Sequence, residues 1–172
     1  MKKRLFLSLF LCLTLLLNGC YDDSKTNDIY LLPKDYEGAV YVFYNVKGAP
    51  KLQTEGEYNV IPVNEEGFYV TSTPDMDYGT VTDEYYYVND NGKRKKINPH
   101  CVNVFGTGRF ETAPVGHEKI DIRYTGFYVT ADKSKCSEDF MTNGPSGDED
   151  KLDELLYKIQ KQYFGYDEYS VY

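Results

Sequence analysis

Apolar and polar positions alternate over most of this chain with a period of two. From Gly38 to Val46, the residues Val40, Val42, Tyr44 and Val46 share one face, and Tyr41, Phe43 and Asn45 share the other. Both faces carry bulk, which predicts a strand in the middle of a sheet. Ile120, Ile122 and Tyr124 alternate with Asp121, Arg123 and Thr125 inside the stretch from Lys119 to Thr130, the pattern of a strand with one wet face. Further strands are predicted at Glu57 to Ile61, Phe68 to Ser72, Val81 to Val88, Arg94 to Asn98 and His100 to Phe105. Pro62 to Gly67 forms a turn-rich bridge between two of them. Asn89-Asp90-Asn91-Gly92 closes a hairpin between two others. Gly106-Thr107-Gly108 reads as a turn.

Only the end of the chain changes period. Leu152, Leu155, Leu156, Ile159 and Tyr163 lie on one face of a helix. Ser146 with Glu149 suits a capping box, acidic residues 148 to 150 suit the positive end of the dipole, and Gly165 suits a stop. The reading is a lid on the sheet, with a partner-binding helix as the alternative. The expected fold is therefore mainly β: an antiparallel β-sandwich of about six to eight strands with one C-terminal amphipathic helix.

The first residues belong to neither pattern. Lys2, Lys3 and Arg4 precede an apolar run from Leu5 to Leu17, 13 residues long and too short to span a bilayer. The following Leu17-Asn18-Gly19-Cys20 resembles the lipobox of bacterial lipoproteins. That resemblance implies cleavage before Cys20, diacylglycerol on its sulfur and acylation of the new amino terminus. Residues 1–19 are then a removed signal peptide, and Cys12 goes with them. Residues 20–28 form a lipidated tether, 29–131 a β-sandwich domain, and 132–172 a loop plus the C-terminal helix. Acyl chains contribute roughly 0.8 kcal/mol per buried methylene, so two or three of them hold a protein without a spanning helix. The expected location is the bacterial cell envelope, on the outer membrane if the cell has two membranes.

Cleavage alters the charge. Losing three basic residues takes the net charge from −8 to −11. Such acidity argues against nucleic acid as a partner, because phosphate binding draws on Lys and Arg, and it suits a protein partner of basic character. The one basic cluster, Lys93-Arg94-Lys95-Lys96, follows a hairpin turn and reads as a solvated ribbon face, with contact to anionic head groups as the lesser reading.

Leu32-Pro33-Lys34-Asp35-Tyr36-Glu37-Gly38-Ala39-Val40, Gly48-Ala49-Pro50, Ile61-Pro62 with Gly67, and Tyr85-Tyr86-Tyr87-Val88 before Gly92-Lys93-Arg94 resemble a family of bacterial secreted and lipoprotein domains of unknown function. The resemblance spans about residues 29 to 130 and implies a small β-rich domain with no catalytic residue. A fainter one, Gly-x-Pro after the first strand and Pro-x-x-x-Gly before a later one, is similar to transthyretin-like sandwiches.

Little chemistry is left to place. Cys101 and Cys136 are the two cysteines remaining once Cys12 is removed and Cys20 is lipidated, and outside the cytosol two thiols are expected to pair. Alternation sets Cys101 on the face opposite Val102 and Val104. His100, Cys101, His117 and Cys136 have the atoms for zinc but not the spacing, and no EF-hand ladder is present, so no metal and no cofactor is expected. Hydrolase motifs are missing. The 18 tyrosines suit stacking on sugars but equally suit exported strands. The expected function is a lipid-anchored, non-catalytic binding or structural module with a protein partner. An immunity or exclusion lipoprotein that neutralises a toxin or phage component is the alternative, and an envelope hydrolase the outsider.

Overall fold

The computed structural model describes residues 24 to 166, apart from 114 and 117. Nine strands follow one another: β1 (Asp28–Pro33), β2 (Gly38–Tyr44), β3 (Gln53–Glu55), β4 (Tyr58–Pro62), β5 (Phe68–Val70), β6 (Glu84–Val88), β7 (Arg94–Lys96), β8 (Val102–Thr112) and β9 (Ile120–Val129). Two α-helices follow among the described residues, α1 (Glu138–Asn143) and α2 (Glu149–Phe164). One sheet has the order β3-β4-β1-β6-β7 and the other β5-β2-β9-β8.

Mainly β is the observed class, but the sheets are mixed and not antiparallel as expected. β1 pairs in parallel with both β4 and β6, and β2 pairs in parallel with β5. The physical reason is the route of the chain. After β1 it crosses to the second sheet as β2, returns through the β3–β4 hairpin, and crosses again for β5, so neighbours in space are not hairpin partners in sequence. Apolar alternation reports which face is buried and carries no information on strand direction.

β2 explains the three-layer build. Val40, Val42 and Tyr44 join Tyr30, Leu32, Ile61, Tyr85, Phe127 and Val129 in a core between the two sheets. Its other face, Ala39, Tyr41 and Phe43, joins Ile120, Ile122, Leu155, Leu156 and Ile159 in a second core beneath α2. With both faces covered, every residue of β2 after Gly38 is buried, as its two-sided bulk predicts. The helix is thus packed as a lid on the four-stranded sheet.

Other local readings shift. Asp148 caps α2, accepting from the Lys151 N–H at 3.0 Å, in place of the expected Ser146. Gly165 ends the helix in the left-handed region at φ 65°, a conformation that glycine adopts without steric cost. The additional helix α1 is capped by the Ser137 side chain. Gly106-Thr107-Gly108 is not a turn but the middle of β8, beside a register shift between Val104 and Gly106. A Cβ on Gly108 would lie 2.3 Å from the Tyr124 ring, and one on Gly126 would lie 2.4 Å from the Phe105 ring. The glycines are therefore the space that aromatic rings fill, a role invisible to a search for turns.

Candidate functional site

Strands β1, β4 and β6 run in the same direction, so the five-stranded sheet has an entry pole, where they begin, and an exit pole, where they end. The six-residue β1 separates the poles by roughly 20 Å at ordinary strand rise.

The chain joins the domain at the entry pole. Lys25 bridges Thr80 in parallel, the Thr26 N–H donates to the Thr80 carbonyl at 3.1 Å, and the Asn59 N–H donates to the Asn27 carbonyl at 3.0 Å. Residues 25 to 28, expected to be tether, are thus already attached to the fold. Cys20 lies outside the described residues.

Carboxylates gather around that attachment. Asp83 accepts the Thr26 hydroxyl and the Asp28 backbone N–H. Asp28, only 4% exposed, accepts Asn59 Nδ2 at 3.1 Å, and the same amide donates to Asp77 at 3.0 Å. Burial is the main reason the Asp28 carboxyl is pushed up to about 7, with Asp83 and Asp77 adding repulsion against the Asn59 and Tyr30 hydrogen bonds. Asp83 is raised in the same way, also chiefly by burial. Among the described residues no group of three or more His, Cys, Asp or Glu side chains is placed to hold a metal ion.

Cys101 and Cys136 are joined by a disulfide. Cys101 is not on a strand, as alternation implied, but closes a 3-10 turn, Pro99–Cys101, whose cap Asn98 accepts the His100 N–H at 3.0 Å. The turn rotates the cysteine inward to 7% exposure. The Ser137 N–H donates to the His100 carbonyl at 3.1 Å, bringing the loop after β9 alongside. Both sulfurs of the weighed zinc set are consumed in this bond, and His117 lies outside the described residues.

Two adjoining clefts occupy the exit pole. The larger, about 520 Å³, is lined by Leu31, Pro33, Pro62 and Val88 with Lys34, Glu65 and Asp90 at its margin. The smaller, about 350 Å³, is lined by Tyr87, Lys93 and Lys95 with Asp35 and Arg94. Lys34 and Asn89 belong to both and form the saddle between them. Sequence reasoning took the basic cluster as a solvated face. It missed the cleft beneath because Lys34 lies about 60 residues away in sequence and arrives only through the β1–β6 pairing. No helix among the described residues is long and apolar enough to cross a membrane.

The fold is that of a two-sheet β domain with a helical lid and an entry pole opposite a cleft. Residues 24–140 match a family described as a family of unknown function (DUF6843), and the chain belongs to that family. The matched span ends before α2. The crystal structure of a Bacillus anthracis protein designated a lipoprotein is similar, with a TM-score of 0.72 and 36% identity over 81% of this chain and 97% of that one. No curated protein matches the chain significantly.

Proposed function

We propose that this protein is a lipid-anchored, non-catalytic binding module of the bacterial envelope, attached through acyl chains on Cys20 and engaging a protein partner at the exit pole. The observation that carries the reading is the polarity of the five-stranded sheet. The chain enters at Lys25 to Asp28, and the clefts lie at the opposite ends of the same strands. Three residues lie between Cys20 and Ser24, so four Cα-to-Cα steps give a reach of at most about 14 Å. An anchor at Cys20 thus holds the entry pole against the bilayer and turns the clefts away from it. The lipobox-like Leu17-Asn18-Gly19-Cys20 and the similarity to a protein designated a lipoprotein both support the anchor. The exit-pole clefts are lined by Lys, Arg, Asp, Glu, Asn, Tyr and aliphatic residues, with no Ser, Cys or His to serve as nucleophile or imidazole base, which favours binding over turnover.

The test has two parts. Cys20→Ser should release the protein from membranes and abolish incorporation of labelled palmitate. Cross-linking of the anchored protein should then capture a partner that is lost on introducing Pro62→Glu in the larger cleft. Palmitate entering the Ser variant would refute the anchor, and capture unaffected by the cleft substitution would refute the exit-pole site.

A further inference from the structure

β7 is an edge strand, and its hydrogen-bond phase determines which groups it offers outward. The Asn89 N–H donates to the Lys93 carbonyl at 3.2 Å, and the Ile97 N–H donates to the Tyr85 carbonyl at 2.8 Å. Residues 93, 95 and 97 therefore turn their backbone groups toward β6. By the alternation of an antiparallel ladder, Arg94 and Lys96 turn theirs toward the free side.

The side chains divide in the same rhythm. Arg94 pairs with Glu55 at 2.9 Å and Lys96 pairs with Glu84 at 2.6 Å, so the cations on one face are already matched. Lys93 and Lys95, on the other face beside Asn89 and Tyr87, line the smaller cleft, and among the described residues neither makes an ion pair. Lys34 completes the group, and its own contact, to Asp35, is 3.9 Å long. Lys93 is held in place because Asn89 Oδ1 accepts both the Asn91 and Lys93 N–H groups, at 3.2 and 2.8 Å.

A short lysine-rich edge commonly serves to block pairing with other chains. That role accounts for exclusion of a second copy, whose own lysines would oppose these. It does not account for a cleft under two unmatched cations with a tyrosine wall. We infer that the free edge of β7 receives an extended acidic segment of a partner protein, which adds as a strand and places carboxylates at alternate positions opposite Lys93 and Lys95. This rests on the binding-module reading above and names the partner's chemistry. Strand addition needs backbone N–H and C=O groups, which a protein has and an anionic polymer lacks. The chain's overall negative charge does not prevent this, because repulsion is screened beyond about 8 Å at physiological salt and the smaller cleft itself sets Lys34, Lys93 and Lys95 against one carboxylate, Asp35.

The experiment uses the purified mature chain in detergent and a labelled peptide, Glu-Thr-Glu-Val-Glu-Thr, read by fluorescence anisotropy. Binding is expected to weaken at least tenfold with Lys93→Glu and Lys95→Glu together. A peptide with alternate backbone nitrogens methylated should bind equally poorly. The paired substitutions Lys51→Glu and Lys133→Glu, at exposed sites elsewhere, should change it little. Thermal unfolding of the variants verifies that they fold. Absence of binding, equal weakening by the distant pair, or undiminished binding of the methylated peptide would each overturn the inference. So would displacement by polyphosphate together with indifference to methylation, since that describes an anion site. Because anchoring and cross-linking are measured separately, failure here leaves the envelope-module reading to its own test.

Discussion

The Tyr41 hydroxyl makes two hydrogen bonds with the Asp148 backbone, each at 2.8 Å: it accepts from the Asp148 N–H and donates to the Asp148 carbonyl, which also accepts the Leu152 N–H at 2.9 Å. Tyr41 is in the middle of β2 and Asp148 caps α2, so one phenol ties the sheet to the first residue of its lid. Tyr41→Phe keeps the ring and leaves two peptide groups without this partner. We expect a loss of about 0.5 to 1.5 kcal/mol, the usual net worth of a hydrogen bond, because Asp148 is exposed and its carbonyl keeps the Leu152 N–H. Urea denaturation measures it, and faster amide exchange in the first turn of α2 locates it. An unchanged midpoint would show that water replaces the hydroxyl at no cost.

The lid is part of the core. Leu155 and Ile159 are 2% and 1% exposed and pack on the β2 and β9 face. Leu155→Ala should cost about 2 to 5 kcal/mol through lost burial and a residual cavity. Removal of residues 148 to 172 should leave an insoluble or unfolded chain. A truncated protein with native strand signals in circular dichroism and a cooperative melt would reverse this assignment and return the helix to a binding role.

The bond between Cys101 and Cys136 closes a loop with a sequence separation of 35 residues. On the chain-entropy account, its loss costs about 3 to 4 kcal/mol. Cys101→Ser with Cys136→Ser should lower the unfolding free energy measured by urea denaturation by that amount and remove the sensitivity of the wild type to dithiothreitol. Two alkylatable thiols in the unreduced exported protein would show that the pair does not form.

Asp28 makes stability depend on pH in an unusual direction. The groups around it are Asp83, Asp77, Tyr30, Tyr44 and Tyr85, none of them cationic. Its carboxyl titrates near 7 when folded and near 3.8 when free, so between those values the folded state holds a proton that the unfolded state has released. Its contribution is therefore full below about pH 4, declines as pH rises, and is lost above about 7. The slope is up to about 1.4 kcal/mol per pH unit. Asp28→Asn cannot ionise, so the variant's advantage should grow from pH 4 to pH 7 and then level off. Denaturation curves for the two proteins that stay parallel across this range would disprove the assignment.

Much of this molecule was legible in order along the chain. Two-sided bulk marked β2 as buried on both faces, Asn91-Gly92 marked the β6–β7 hairpin, and the spacing of Leu152, Leu155, Leu156 and Ile159 marked α2, with Gly165 at its end. These features depend on neighbours within a few residues, where steric preference and period act directly. The resemblance of Leu17-Asn18-Gly19-Cys20 to a lipobox is likewise read from the sequence alone, and it lies outside the described residues.

What the tertiary structure decided involves residues far apart in the chain. Whether β1 runs with or against β6 depends on where the intervening chain crosses between sheets, and no local period records that. Gly108 is read as a turn until the Tyr124 ring is seen lying over it. Asp28, Asp77 and Asp83 look like scattered surface acids until the parallel strands bring them to one pole, and Lys34 meets Lys93 and Lys95 only at the other. Burial periodicity states that a side chain needs cover. Which side chain covers it is settled by long-range pairing, whose energy appears only when both strands are in place.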